Sequence, residues 1–139
     1  MGARTKARKR ALDILFEAEQ RGVEARSVFL RIATETTSPL NPYVEELVDG
    51  VVAHCDRIDE LIATYAEGWS LDRMPAVDRN LLRLAVFELL YVEDVPTQVA
   101  IDEAVSLAGD LSTDASPSFV NGVLGRIAGV AARITDAQE

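Results

Sequence analysis

The stretch AVDRNLLRLAVFELLY, residues 76–91, decides the fold class of this chain. Its apolar residues recur at helical spacing and occupy almost every side of the helix that this spacing predicts. A helix that is apolar all round lies in the interior of a protein. The stretch stops shortly before Pro96, because the residue before a proline is pushed out of the helical region. We therefore expect a central, buried helix, with Arg83 and Glu88 as inward polar groups that pair or hydrogen-bond.

The segments around this helix also have helical spacing, and none alternates for long enough to indicate a surface strand. The first runs from about Thr5 to Arg21 and ends at Gly22. Two others begin with a cap residue and a proline, Asn41 with Pro42 and Ser116 with Pro117. The sequence predicts an all-α fold of about seven helices in two packed bundles. The inward positions predicted for these three helices are Ala7, Ala11, Ile14, Leu15, Ala18, Leu47, Val48, Val51, Val52, Val120, Val123, Leu124, Ile127, Ala131 and Ile134.

The length of the chain, 139 residues, suits one compact core or two small subdomains that share an interface. We expect a single domain, 1–139, with subdomains at approximately 1–68 and 69–139. The stretch GWSLDRMP, residues 68–75, is the predicted junction between them. The chain has no room for a catalytic domain beside a separate binding domain.

Catalytic and metal-binding patterns are absent from the sequence. One cysteine, Cys55, and one histidine, His54, make neither a disulfide framework nor a zinc site within a monomer, and neither residue has an evident partner at helical spacing in the third helix. Phosphate-loop and dinucleotide motifs are missing as well. No apolar run reaches the length of a membrane span or of a signal peptide. We expect a cytoplasmic protein without enzymatic activity, cofactor or metal.

Charge divides the chain unevenly. The formal net charge is −9, yet the first ten residues contain five cations and no acid, Arg4, Lys6, Arg8, Lys9 and Arg10. The rest of the chain has nine basic and 23 acidic residues. The split predicts a small surface suited to phosphates and a larger surface suited to basic partners.

The basic start lies where a helix begins, and cations there oppose the helix dipole at a cost of about 0.3–1 kcal/mol each. Stability alone would favour Asp or Glu in that turn. Two interpretations follow from charge, a nucleic-acid-binding segment or a solvated basic tail.

Single-stranded RNA also needs rings on which bases stack and polar groups that read base edges. SPSFVNG, residues 116–122, supplies Ser116, Ser118, Phe119 and Asn121 at another helix start, where backbone N–H groups favour a phosphate. A phenylalanine at such a position is more often a core residue than a stacking platform, so Phe119 alone is a weak signal. The segment gains weight as an RNA surface only if the two helix starts are neighbours.

Residues 77–127, VDRNLLRLAVFELLYVEDVPTQVAIDEAVSLAGDLSTDASPSFVNGVLGRI, closely resemble the C-terminal half of the NusB family of transcription antitermination factors. The combination of LRLAVFEL, VPTQVAIDEAV and FVNGVL at these spacings is specific. The N-terminal half is similar through the arginine-rich first helix that leads into ALDILFEAE. The resemblance covers nearly the whole chain.

The resemblance implies two helical bundles without enzymatic activity. It implies binding, together with the ribosomal protein NusE, to single-stranded boxA RNA of ribosomal RNA transcripts, within an antitermination complex that contains RNA polymerase. By position, the RNA-binding residues are Arg4, Lys6, Arg8, Lys9, Arg10, Phe119, Asn121 and Gly122.

The same resemblance implies three contacts to the protein partner. Phe16 stands where the family tends to have tyrosine, and Asp78 occupies an acidic position at the start of the central helix. Asp114 lies near a further acidic contact, although Ala115 stands at the aligned place.

Two rival functions and one assembly state accompany this interpretation. A related domain precedes the catalytic domain of a ribosomal RNA cytosine methyltransferase, so an RNA-binding accessory domain is one alternative. A protein-only adaptor with a basic solubility tail is the other. The resemblance leaves monomer and homodimer open, and a homodimer that covers the first helix would mask the RNA surface until NusE displaced it.

Overall fold

The computed structural model describes the backbone of residues 2–138 and the side chains of residues 2–131. Over these residues the chain forms seven α-helices and no strand, which confirms the all-α prediction. One 3₁₀ turn, Leu71–Arg73, precedes the fifth helix. The predicted inward position Ile134 lies outside the described side chains. The helices are α1 Ala3–Arg21, α2 Ala25–Glu35, α3 Pro42–Ala53, α4 Cys55–Tyr65, α5 Ala76–Tyr91, α6 Thr97–Leu111 and α7 Ser116–Gln138.

The helices belong to two compact units, Met1–Ala53 and His54–Glu139. In the first unit, α1 packs against α2 and α3, which also pack against each other. In the second unit, α5 packs against α4, α6 and α7, and α6 packs along α7. The predicted junction, residues 68–75, lies within the second unit, and the division at residue 68 stays a prediction.

The first helix follows the sequence prediction closely. All five predicted inward residues of α1 are buried, because their spacing places them on the side that faces α2 and α3. The helix ends at Gly22, whose φ of 66° is a left-handed conformation that glycine adopts without strain. Val23 N–H then donates to the carbonyl of Ala18 at 3.0 Å, which satisfies one of the free carbonyls at the helix end.

The third helix begins where it was predicted to begin, but one of its predicted inward residues is exposed. Asn41 Oδ1 accepts the backbone N–H of Tyr43 at 2.9 Å, which confirms the predicted cap. Leu47, Val48 and Val51 are buried as predicted. Val52 is 55% exposed, so its predicted burial is wrong. One step along a helix turns a side chain by about 100°, which carries Val52 away from the face of Val51.

The central helix α5 confirms the prediction from residues 76–91. Most of its apolar side chains are buried, and the inward polar residue Glu88 is only 2% exposed. Arg83 makes two bonds to Asp59 of α4, Nε to Oδ1 at 2.8 Å and Nη2 to Oδ2 at 3.0 Å. This forked pairing offsets the cost of removing the guanidinium from water.

Candidate RNA and protein-partner surfaces

The helical turn of α1 divides the five cations of the basic start into two sets. Arg4 and Arg8 are one turn apart, and their guanidinium carbons lie 4.5 and 5.9 Å from the ring centroid of Tyr43. Arg8 is only 5% exposed. These two arginines therefore contribute to the packing of α1 on α3 through cation–π contacts.

The other three cations, Lys6, Lys9 and Arg10, are exposed, and we call them the open cations. Among the side chains that the structure describes, none of the three forms a hydrogen bond or close ion pair. Burial raises the pKa of the Asp13 carboxyl, and the positive charges of Lys9 and Arg10 offset only part of this increase.

The electrostatic setting of the open cations favours an anion. The first turn of α1 contains no acidic residue, so the partial positive charge of the helix start adds to the charge of the side chains. Phosphate groups are the anions that such an exposed basic helix start suits best.

The FVNG segment lies on the first turns of α7, in the second unit. Asn121 is exposed, and Phe119 is partly buried against Trp69, with ring centroids 6.2 Å apart at 65°. Trp69 itself is 51% exposed. The tertiary structure therefore adds a second aromatic ring to the predicted surface, from a position fifty residues earlier in the chain that no local pattern connects to Phe119.

Gly122 has an arginine neighbour that sequence reasoning missed. A Cβ atom at Gly122 would lie 3.4 Å from Nη1 of Arg126, so the arginine passes close over the glycine backbone. Arg126 Nε also donates to the carbonyl of Tyr65 at 2.9 Å, which fixes the side chain. The spacing of four residues on one helix is the signal that points to this pair.

Asp78 is buried, with 2% exposure, and it belongs to a hydroxyl cluster. Ser112 Oγ donates to its Oδ1 at 2.6 Å, and Ser116 Oγ donates to its Oδ2 at 2.9 Å. Ser116 Oγ also accepts the backbone N–H of Thr113 at 3.2 Å. The prediction of Ser116 as the cap of α7 is thus wrong, because its hydroxyl serves Asp78 and Thr113.

A small pocket adjoins this cluster in the second unit, with a volume of about 170 Å³. The exposed Asp114 lies in the connection between α6 and α7, next to the pocket residue Ala115. Since both oxygens of Asp78 already accept hydroxyl protons, the pocket offers mainly apolar surface. Its lining residues are Trp69, Met74, Pro75, Asp78, Thr113, Ala115, Ser116 and Phe119.

Phe16 lies on α1 and is 36% exposed, beside a group of ion pairs. Hydrogen bonds from Arg21 and Arg31 hold the pKa of the Glu17 carboxyl below its usual value. Three further large apolar residues of the first unit, Val23, Leu30 and Val52, are 40%, 50% and 55% exposed. The first unit therefore presents apolar surface near paired charges.

The structure contradicts two predictions for His54 and Cys55: their place in the third helix and the lack of a partner at helical spacing. His54 lies between α3 and α4, and its ring stacks on Tyr91 with centroids 3.9 Å apart. Cys55 begins α4 and its Sγ lies 3.6 Å from Oδ2 of Asp59, so it does have a partner at helical spacing. Burial, followed by the nearby carboxylate of Asp59, raises the pKa of the thiol.

No group of three His, Cys, Asp or Glu side chains among the described residues has the geometry of a metal site. None of the helices in the described part of the chain combines the length and apolar character that crossing a membrane requires.

The two units differ in charge. Residues 1–53 contain eight basic and eight acidic side chains, whereas residues 54–139 contain six basic and 15 acidic side chains. The whole net negative charge of the chain therefore belongs to the second unit, and the open cations belong to a unit that is neutral overall.

Comparison with known proteins identifies relatives over most of the chain. The NusB family model matches residues 5–129. The chain is 59% identical over 127 residues to the transcription antitermination protein NusB of Nocardioides sp., an alignment that covers 91% of this chain and 94% of the relative. It is 53% identical to the protein of the same name from Beutenbergia cavernae, with 99% and 97% of the two chains covered.

Solved structures give the same result. T. maritima NusB superposes with a TM-score of 0.84 at 34% identity, covering 99% of this chain and 98% of that chain. The crystal structure of the antitermination factors NusB and NusE in complex with double-stranded RNA matches with a TM-score of 0.82 at 30% identity, covering 94% and 98%. The resemblance drawn from residues 77–127 is confirmed, and the chain belongs to the NusB family.

Proposed function

We propose that this chain is a transcription antitermination factor that binds single-stranded boxA RNA of ribosomal RNA transcripts together with the ribosomal protein NusE. In this role it helps RNA polymerase read through terminators as part of an antitermination complex. The observation that carries the proposal is the set of open cations on α1, Lys6, Lys9 and Arg10. Relatives at 53% and 59% identity named for antitermination support it, and the related NusB and NusE complex with double-stranded RNA supports binding of RNA and of NusE.

The open cations bind RNA phosphates, because none of them forms a hydrogen bond or close ion pair among the described side chains and Lys6 lies near the positive end of the α1 dipole. Arg4 and Arg8 act at the edge of this surface while they pack on Tyr43. Phe119 supplies a ring for base stacking, and the exposed amide of Asn121 reads a base edge. Gly122 follows Asn121 on α7 and contributes its backbone to the same RNA contact, beside the guanidinium of Arg126.

The protein partner binds through apolar and acidic groups. Phe16 offers exposed ring surface, and Asp114 offers an exposed carboxylate. Asp78 contributes indirectly, since its buried carboxylate orients Ser112 and Ser116 beneath the pocket surface. A basic ribosomal protein complements the acidic second unit.

The proposed function includes no catalytic step, cofactor or resident metal. Its work is recognition, and it takes place in the cytoplasm, where bacterial transcripts are made. A homodimer that covers α1 stays a prediction, supported by the exposed Phe16 and Leu30. Sedimentation of a monomer at micromolar concentration would remove it.

The experiment measures affinity for a boxA RNA, with and without NusE, across a salt series. It compares the variant Lys6→Ala/Lys9→Ala/Arg10→Ala with the control Arg21→Ala/Arg26→Ala, which removes two exposed arginines already paired with acids in the same unit. We expect the first variant to lose RNA affinity and the control to retain most of it. The three open cations should contribute about −2 to the salt slope, at roughly −0.7 per phosphate.

The two alternatives give different outcomes. Equal RNA affinity of both variants would reject the open cations as the RNA surface. Binding of NusE without any RNA binding would identify a protein-only adaptor.

A further inference from the structure

A groove of about 650 Å³ lies in the first unit beside the start of α1. One wall is formed by α1, where Lys6 and Arg10 follow each other after one helical turn. The opposite wall is the connection between α2 and α3, residues 36–41. The other lining residues are Ala3, Ala7, Glu35 and Val44.

The chemistry of the groove is divided between its walls. Two cations without a close partner among the described side chains line the α1 side. Thr36, Thr37 and Ser38 line the other side, together with Pro39 and Leu40, and the hydroxyl of Thr36 donates to the carbonyl of Ala33 at 3.3 Å. The one acid of the lining, Glu35, accepts a hydrogen bond from Arg31 at 3.3 Å, which reduces its repulsion of an anion.

The two walls are tied together by Asn41. Its Oδ1 accepts the N–H of Tyr43, and its Nδ2 lies 3.5 Å from the carbonyl of Ala3 on α1. The same side chain therefore starts α3 and links the connection to the first turn of α1. A groove held in this way exists before a ligand arrives, which lowers the entropy cost of binding.

We propose that this groove binds one unpaired nucleotide of single-stranded RNA. Lys6 and Arg10 bind its phosphate, the base lies against Pro39 and Leu40, and the hydroxyl groups of Thr37 and Ser38 read the base edge. The proposal rests on the proposed RNA-binding function and adds a place where one base of the RNA is distinguished. Phosphate contacts carry no sequence information, whereas contacts to a base edge do.

The observations favour a nucleotide over a peptide. Lys6 and Arg10 belong to both the groove and the open cations, so an RNA strand bound to the open cations passes the groove mouth. The groove volume lies in the range of sites for small ligands, about 300–1,000 Å³. A nucleotide carries an anionic phosphate and a neutral base in one molecule. The cations of one wall suit the phosphate, and the hydroxyl-bearing residues of the other wall suit the base.

The first test uses the variant Thr37→Leu/Ser38→Leu, which removes both hydroxyl groups and adds bulk at two exposed loop positions. Its matched control, Thr97→Leu/Ser106→Leu, makes the same replacements at exposed positions of α6 in the second unit. We expect the groove variant to bind boxA RNA at least about fivefold more weakly than the control, since it loses two hydroxyl groups that bond to the base edge. Thermal unfolding of both variants establishes that they are folded.

The second test locates the base directly. RNAs with 4-thiouridine at single positions are irradiated with the protein, and the crosslinked peptides are identified by mass spectrometry. We expect one RNA position to crosslink within residues 36–41. Titration with uridine monophosphate and with ribose 5-phosphate should shift the amide resonances of this loop only when the base is present.

The outcomes separate the two proposals. Loss of RNA binding in Lys6→Ala/Lys9→Ala/Arg10→Ala, with unchanged binding in Thr37→Leu/Ser38→Leu, would overturn the groove and leave the proposed function intact. Crosslinks confined to other peptides would also overturn it, as would a loss of NusE affinity without loss of RNA affinity. If the unaltered protein binds no RNA with or without NusE, the proposed function fails, and the groove proposal fails with it.

Discussion

The basic start of α1 and the acidic residue at the start of α5 were both predicted to contact partners, but they lie in opposite environments. Lys6, Lys9 and Arg10 are exposed, without a close partner among the described side chains. Asp78 is 2% exposed, and both of its oxygens accept hydroxyl protons from its own unit. A charge available for binding and a charge that holds the fold together thus look alike in the sequence.

The difference shows which physical quantity assigns a role to a charged residue. The helix period determines the direction in which a side chain leaves its helix, but the neighbours from other helices determine whether water remains around it. An exposed charge keeps its hydration and is ready for a ligand. A buried charge is compensated internally, and its removal costs stability before it affects binding.

The largest expected effect is in the second unit, at Asp78. Asp78→Ala removes the buried carboxylate that accepts hydrogen bonds from Ser112 and Ser116, so we expect a loss of about 2–4 kcal/mol in the free energy of unfolding. Urea denaturation measures it. The control Asp114→Ala, at an exposed position in the same unit, should change stability by less than about 0.5 kcal/mol. Equal effects of the two variants would remove the contrast between a buried and an open charge.

The second prediction separates the two sets of cations on α1. Arg8→Ala should destabilise the protein by about 1–3 kcal/mol, because it removes a buried stem and a cation–π contact with Tyr43. Lys9→Ala, one residue later and exposed, should leave the unfolding midpoint nearly unchanged. A larger loss of stability for Lys9→Ala than for Arg8→Ala would contradict the division of the basic start.

A third prediction compares one glycine from each unit. Gly22→Ala places a Cβ at φ 66° and should cost about 1 kcal/mol at the end of α1. Gly109→Ala lies inside α6, where the new Cβ would meet Pro117 Cγ at an ordinary 3.8 Å, so it should be neutral or stabilising. Thermal unfolding of the pair measures the difference, and a stabilising Gly22→Ala would refute the left-handed helix end.

The smallest effect concerns the polar network of α4 and α5. Burial and Asp59 raise the pKa of Cys55, so less thiolate is present at a given pH than in a free cysteine. Alkylation by iodoacetamide should therefore rise at higher pH for the folded protein than for the same protein unfolded in urea. Asp59→Asn removes the carboxylate and leaves the positive charge of Arg83, which should move the profile to lower pH. If alkylation of the unaltered folded protein rises at lower pH than that of the unfolded protein, burial does not control the pKa of Cys55.

Local sequence patterns predicted most of the helices because the helix period and its end signals are short-range properties. Residues 76–91 indicated a buried α5, Gly22 indicated the end of α1, and Asn41 indicated the start of α3. The resemblance to a known family came from motifs of similarly short range. The residues proposed to bind RNA and NusE were placed by that resemblance, and their roles stay predictions.

The sequence by itself determined the all-α fold, the order of its helices and the concentration of positive charge on α1. The tertiary structure decided which charges are available to bind a partner. Arg4 and Arg8 contact the ring of Tyr43, and Asp78 accepts hydrogen bonds from Ser112 and Ser116. The tertiary structure also created the groove beside Lys6 and Arg10 from a connection some thirty residues away. The physical reason is that helix period and capping act over a few residues, whereas burial and pairing depend on neighbours that only packing brings together.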